Sequence, residues 1–243
     1  MSGLTLDRLA IDLAGKPLVR LSAHVAPGEV LTVMGPSGSG KSTLLAALIG
    51  ALPPRFHLSG RLLLNGRDVT ALPTQDRRIG LMFQDDVLFP HLSVAQNLGF
   101  GLRPGGTRAN RLARIGAMLD RIGLAGFGPR DPATLSGGQR ARVALARTLL
   151  AEPEALLLDE PFSRLDQGLR AEIREMVFDM ARTLPVILVT HDTEDARGRV
   201  VTPLGDRPRS LLVGLRPLVG APPPEEDRRS RRGGPSEPAS ALP

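Results

Sequence analysis

The run Gly35-Pro36-Ser37-Gly38-Ser39-Gly40-Lys41-Ser42-Thr43 has the spacing G-x-x-x-x-G-K-[ST]. Glycines at these places let consecutive backbone N–H groups turn toward one anion, and the start of a helix adds favourable partial charge. Lys41 reaches β- and γ-phosphates as a point charge, while the Ser42 hydroxyl is placed to ligand Mg²⁺. Lys16 and Lys41 are the only lysines in a chain that otherwise uses arginine, which suggests that a guanidinium would not serve here. A chance match in a chain of this length arises on the order of once in a hundred. The flanks lower that further, because Val30–Met34 reads as a buried strand and Ser42–Ile49 as a helix.

A second acidic element is Ala155-Leu156-Leu157-Leu158-Asp159-Glu160-Pro161, an apolar strand ending in two carboxylates. Ligands of open α/β sheets sit at the carboxyl ends of strands, so this pair is expected to face the phosphate loop. Asp159 would hold Mg²⁺ through its water shell, and Glu160 would activate an attacking water. A third apolar strand, Val186–Thr190, delivers His191 to the same edge; His24, His57 and His91 lack such a setting and read as structural. Leu135-Ser136-Gly137-Gly138-Gln139 precedes an amphipathic helix over Arg140–Leu150. Taken alone it is either a second anion-binding helix end or a flexible joint.

Positioning these residues requires an α/β domain. The 243 residues suffice for one large domain or two small ones, and 42% are hydrophobic, enough for a substantial core. The absence of cysteine excludes disulfides, thiolate metal sites and cysteine nucleophiles. No apolar run approaches the roughly 18–20 residues that span a bilayer, and the opening MSGLTLDRLAIDLAG lacks the pattern of a signal peptide. A soluble intracellular protein is the expectation. The net charge is +6, but residues 1–205 carry 24 basic and 20 acidic side chains, an ordinary mixed surface, and residues 206–243 carry 7 and 5. With no Trp or Tyr and no basic stripe interleaved with aromatics, nucleic acid is not the expected partner.

Short apolar runs alternate with helical patterns through the first 205 residues, and Arg61–Leu64 ahead of Asn65-Gly66 reads as a strand entering a hairpin. About residues 88–151 the pattern becomes helical and arginine-rich, with breaks at Arg103–Thr107 and Gly126–Pro132. The expected organisation is a domain over 1–205 with this helical insertion, then a Pro/Arg-rich tail over 206–243 with too little apolar surface to order.

In this order the motifs resemble those of the ATP-binding-cassette (ABC) transporter ATPases: GPSGSGKST, Phe83-Gln84, LSGGQ with the following RARVALAR, LLLDEP, Ser163-Arg164-Leu165-Asp166 and His191. The resemblance covers roughly residues 4–200. It implies a P-loop NTPase core with a predominantly parallel sheet, an N-terminal antiparallel β portion and an inserted helical subdomain, binding ATP and Mg²⁺. It further implies that Gln84 ligands Mg²⁺ and senses the γ-phosphate, and that His191 contacts that phosphate. Ser136, Gly137 and Gly138, with Gln139, would cap the nucleotide held by the phosphate loop of a second subunit, and Asp166 would link the two sites across a head-to-tail homodimer.

The stretch Phe83–Asn97 looks like that of importer ATPases, in which it meets a membrane permease, and the short form is similar to thiamine-type importers. A separate substrate-binding protein and a peripheral place on the inner face of the cell membrane follow from that likeness. Two departures stand out. No aromatic occurs in Leu9–Arg20, where the family usually stacks one on adenine. After His191 the chain is expected to thin out before the usual helix and closing strands, with no room for an extra regulatory domain. The alternatives are a non-transport ABC ATPase or a non-hydrolysing nucleotide-binding module. The first is opposed by the short interval from phosphate loop to LSGGQ, without sustained heptads, and the second by intact Lys41, Asp159, Glu160 and His191.

Overall fold

The computed structural model describes residues 2–85 and 87–206. The chain opens with β1 (Leu4–Leu13), β2 (Lys16–Val25) and β3 (Val30–Met34), followed by α1 (Lys41–Ile49), β4 (Phe56–Leu64) and β5 (Arg67–Asp68). Then come α2 (Thr74–Arg77), β6 (Ile79–Met82), α3 (Val94–Gly101), α4 (Arg108–Arg121) and α5 (Gly137–Leu150). The last part holds β7 (Ala155–Asp159), α6 (Gln167–Met180), β8 (Val186–Thr190), β9 (Arg199–Thr202) and β10 (Gly205–Asp206).

Two sheets result. One is antiparallel, in the order β2-β1-β4-β5; the other runs β10-β9-β3-β8-β7-β6 and is parallel except for β10. The strands β3, β7 and β8 are apolar but for Thr32, Asp159 and Thr190, because both their faces are covered. Leu156, Leu158, Val186 and Leu188 point into a core shared with α3, α4, α5 and α6. Their neighbours Ala155, Leu157, Ile187 and Val189 point the other way, into a core shared with α1 and the antiparallel sheet. The α/β class, the parallel sheet, the antiparallel N-terminal portion and the helical stretch are therefore all present.

The region after His191 differs from expectation. Among the described residues no helix follows, yet the closing strands form: β9 pairs parallel to β3, with Leu31 opposite Arg199 and Val33 opposite Val201, and β10 turns back on β9. The hydroxyl of Thr32, fully buried, donates to the Arg197 carbonyl at 2.5 Å and accepts from the Arg197 N–H at 3.0 Å. This double bond-pair brings a short, charged segment to a sheet edge that its own composition does not call for. The expectation for the tail falls outside the described residues from 207 onward.

The helix behind the phosphate loop has no basic residue in its own last turn. Arg77, only 4% exposed, supplies the missing cation from a distant point in sequence. Its Nη1 donates to the carbonyls of Ala47 (2.8 Å) and Leu48 (3.0 Å), Nε to Leu72 (2.7 Å) and Nη2 to Thr70 (2.5 Å). Removing such a group strands buried carbonyls as well as losing bonds. Arg77→Ala should cost about 3 kcal/mol, a fall of about 6–12 °C in melting temperature for a domain of this size. A thermal melt of the purified variant beside the wild type checks this; a shift under about 2 °C would show that the carbonyls find other donors.

Candidate functional site

The phosphate loop leaves β3 and enters α1 through Gly40, whose φ of +94° suits glycine; a Cβ there would stand 2.9 Å from Leu18 Cγ. Lys41 is buried, and its Nζ donates to the carbonyls of Gly35 (2.7 Å) and Pro36 (2.9 Å), so the ammonium lies within the curl of the loop. Pro36, Ser37 and Gly38 are exposed at the crest, Ser42 is exposed at the first turn of α1, and Thr43 is half-buried. Ser39 Oγ is buried with no hydrogen-bond partner, a polar atom left open inside the loop that a phosphate oxygen would satisfy.

The parallel register sets what faces the loop. Met34 pairs with Thr190 and Asp159 with Val189, so β3, β7 and β8 end at one level. Asp159 is pushed above the usual carboxylate range chiefly by burial, secondly by the Glu160 charge, with Lys41 acting in the opposite sense. Glu160 takes a left-handed conformation (φ +44°), rare for a residue with a side chain, and its N–H donates to the Val189 carbonyl at 2.9 Å. That backbone turn carries its carboxylate to His191, whose Nδ1 lies 3.0 Å from Oε1. Gln84 joins from the end of β6: its Nε2 donates to Ser163 Oγ (3.3 Å), which donates to the Glu160 carbonyl (2.9 Å). Lys41, Asp159, Glu160, His191 and Gln84 are thus assembled at one sheet edge.

Ser136 to Gln139 lie elsewhere; among the described residues they make no hydrogen bond to the phosphate loop. Ser136 is the N-cap of α5: its Oγ accepts from the Gln139 N–H (3.3 Å) and its own N–H donates to Gln139 Oε1 (3.0 Å). The two glycines differ in role. Around Gly137 a Cβ would find only Arg140 Nη2, at 3.9 Å, whereas at Gly138 it would fall 2.2 Å from Leu169 Cδ2. Gly138 is required by the close approach of α5 to α6, a packing demand not visible in the motif. Asp166 caps α6, its Oδ1 accepting from the Leu169 N–H at 3.0 Å.

One functional cluster was not anticipated. Asp195 is buried at 2% exposure and receives Arg170, through Nε at 2.9 Å and through Nη2, together with Arg174 at 3.4 Å. Arg170 Nη2 also donates to Asp192 at 2.6 Å, and these carboxylates raise the Arg170 pKa. Asp192 lies below its usual range, first because the Glu194 N–H donates to it and then because of Arg170. The two residues beyond His191 are so tied to α6. The signal was a pair of arginines four apart opposite the acids of HDTED, readable only once α6 is in place.

A parallel sheet with this loop, acidic strand end and serine-capped glycine helix defines a nucleotide-hydrolysing ATPase of cassette type. Residues 18–163 match the family model described as ABC transporter, and the chain belongs to that family. It is 52% identical over 181 residues to the uncharacterized ABC transporter ATP-binding protein YnjD of Escherichia coli (strain K12), covering 73% of this chain and 83% of that protein. It is 48% identical over 197 residues to the thiamine import ATP-binding protein ThiQ of Cereibacter sphaeroides, covering 80% and 84%. Among solved structures, CbiO1 of Clostridium perfringens, part of the ABC transporter complex cbiONQ, superposes with a TM-score of 0.70 at 30% identity, over 79% of this chain and 80% of that one. The expected membership of the ABC transporter ATPases is thereby shown, and relatives that are import ATP-binding proteins are among the matches.

Asp159 carries a consequence for stability. A carboxyl whose pKa is raised on folding leaves stability intact below its unfolded pKa, about 3.9, and removes it as pH rises through the folded value. Asp159→Asn should therefore raise the melting temperature at neutral pH, without nucleotide or Mg²⁺, while abolishing turnover. The gain should shrink steadily as pH falls toward 4. A gain that persists at low pH, or a loss at neutral pH, would mean that the Lys41 attraction outweighs burial.

Proposed function

We propose that this chain is the ATP-hydrolysing subunit of an uptake transporter and works as a head-to-tail homodimer with nucleotide held between the subunits. What supports the reading is the contact of Glu160 with His191 beside Lys41 and Asp159 at the end of the parallel sheet. In this scheme Lys41 leaves the Gly35 and Pro36 carbonyls for the β- and γ-phosphate oxygens, and the loop N–H groups of Gly35–Thr43 bind the rest. Glu160, oriented by its backbone turn and in contact with the His191 ring, accepts the proton of the attacking water. His191 would also contact the γ-phosphate. Ser136, Gly137, Gly138 and Gln139 of the second subunit would close over that phosphate, with Asp166 beside them.

Ser42, Gln84 and Asp159 are the residues that would hold Mg²⁺. All offer oxygen, the donor this cation prefers, and the burial that disfavours the Asp159 charge is what a nearby cation would offset. Bound there, Mg²⁺ supplies charge neutralisation for the phosphates. The domain is taken as residues 1–205, with the helical subdomain at about 88–151. Phe83, Val87 and Phe100 expose 52, 56 and 69% of their surfaces. Such a gathering of apolar side chains around Phe83–Asn97 suits docking on a membrane permease, which would place the subunit on the inner face of the membrane, with a separate binding protein delivering the cargo.

Glu160→Gln tests the scheme most sharply. The amide keeps the shape but takes no proton, so turnover should fall by about 10²–10⁴ while Mg-ATP binding survives. The arrested protein should run as a dimer on size exclusion with Mg-ATP, and Lys41→Ala should not. Hydrolysis near the wild-type rate would overturn the assignment of Glu160; an inactive protein that stays monomeric, with and without a co-purified permease, would overturn the shared site.

Base selectivity is the second expectation. In Leu9–Arg20, the stretch where the resemblance implies an aromatic, the exposed large hydrophobic side chain is Leu13, 39% accessible. Without ring stacking, worth roughly 1–3 kcal/mol per base, ATP and GTP affinities should differ by less than about tenfold, or about 1.4 kcal/mol. Competition titrations with the two nucleotides measure the ratio.

A further inference from the structure

The helical part carries a charged cavity that ATP hydrolysis does not use. From Arg103 to Arg121 stand five arginines against one aspartate, a net +4 out of +6 for the whole chain. Three of those arginines line a cavity of about 580 Å³, bounded by the loop 103–106, by Asn110, Arg111 and Arg114 of α4, and by Glu152 at the turn before β7. That size is within the roughly 300–1,000 Å³ usual for small-molecule sites. Gly105 and Gly106 have nothing within 4 Å of where a Cβ would stand, so the loop leaves its wall open.

The groups in it are arranged around one counter-ion. Arg114 Nη2 pairs with Glu152 Oε1 at 2.6 Å, while Arg103 Nη1 remains 3.8 Å from Oε2, too far for a hydrogen bond. Arg111 donates to the carbonyls of Arg103 (2.8 Å) and Gly99 (3.0 Å), which fixes the loop against α3, and among the described residues no carboxylate pairs with it. Glu152 has φ +52° just beyond the end of α5, where glycine would sit without strain. A strained position is here filled by the single carboxylate between two guanidiniums, and three positive charges still face one negative. Side-chain exposures of 46, 44 and 50% for Arg103, Arg114 and Glu152 leave the site accessible.

We propose that this cavity binds a phosphate group, carried either by a soluble phosphate ester or by the headgroup of an anionic phospholipid. Guanidinium forks match phosphate oxygens in bidentate pairs, and two surplus positive charges suit a phosphate ester. Leu112, 55% exposed between Arg111 and Arg114 in sequence, adds an apolar contact on the same helix for the lipid source. The site is independent of the Lys41 loop.

The test uses the full chain carrying Lys41→Ala, which disables that loop without adding a second phosphate ester, and the variants below are made in this background. Glycerol phosphate is titrated by calorimetry, and vesicles of phosphatidylcholine with and without one-fifth phosphatidylglycerol are co-sedimented with the protein. The double variant Arg103→Gln/Arg114→Gln should weaken binding by about tenfold or more, and Glu152→Gln, which removes only the internal counter-charge, should tighten it by about threefold. Arg108→Gln/Arg121→Gln, with the same change of net charge outside the cavity, should stay within about twofold. Binding of glycerol phosphate identifies the soluble source, and binding confined to the anionic vesicles identifies the lipid. The proposal is overturned if neither probe binds, if the outer pair weakens binding as much as the inner pair, or if Glu152→Gln weakens it.

Discussion

Asp159 stands opposite Val189, and Met34 opposite Thr190, because β3, β8 and β7 pair in parallel without a slip. A shift of one residue in either pairing would turn the apolar set of a strand to the other face. It would also move Glu160 or His191 one rise, about 3.3 Å, off the level of the phosphate loop. Both cores resist this, since alternate residues of each strand are buried on opposite sides. The edge that carries Lys41, Asp159, Glu160 and His191 inherits its geometry from a register enforced twice over.

At that edge the chain accepts local costs. Asp159 is buried next to Glu160, Glu160 adopts a backbone conformation that favours glycine, and Ser39 Oγ is buried without a partner. None of these helps the fold, and all three lie where phosphate chemistry needs charge, reach and an open hydrogen-bonding site. The offset comes from groups set back from the edge: Arg77 on the carbonyls ending α1, and Arg170 on Asp192 and Asp195. Each is a buried or half-buried arginine that binds through several donors, Arg77 through Nε, Nη1 and Nη2 and Arg170 through Nε and Nη2, a cation employed as framework.

What could be read from the sequence was what depends on neighbours along the chain. The phosphate loop and the strands β3, β7 and β8 are continuous local patterns, so Lys41, Asp159 and Glu160 could be placed from composition and spacing. β1 and β2 could not, because their alternation is broken by irregularities near Asp7 and Arg8, the latter at φ +50°. β9 is four residues long and depends on Thr32 for its position. The capping by Ser136 and Gln139 follows from S-x-x-Q, but the contact of Gly138 with Leu169 joins two helices that the sequence separates by a strand. The same holds for Glu160 with His191 and for Arg170 with Asp195: opposite charges are visible, their partners are not.

The two helix starts that bear Ser136 and Asp166 are mechanically one unit. Gly138 lets α5 approach Leu169 so closely that no methyl group fits between them, and close-packed contacts of this kind transmit displacement. One turn along α6 from its cap, Arg170 grips Asp192 and Asp195, the residues that hold the segment beyond His191. His191 in turn meets Glu160. The caps at Ser136 and Asp166 are local hydrogen bonds, satisfied within their own helices. The glycine-rich helix end and the residues after His191 are thus joined through α6, by the contact of Leu169 with Gly138 and by the ion pairs of Arg170 with Asp192 and Asp195.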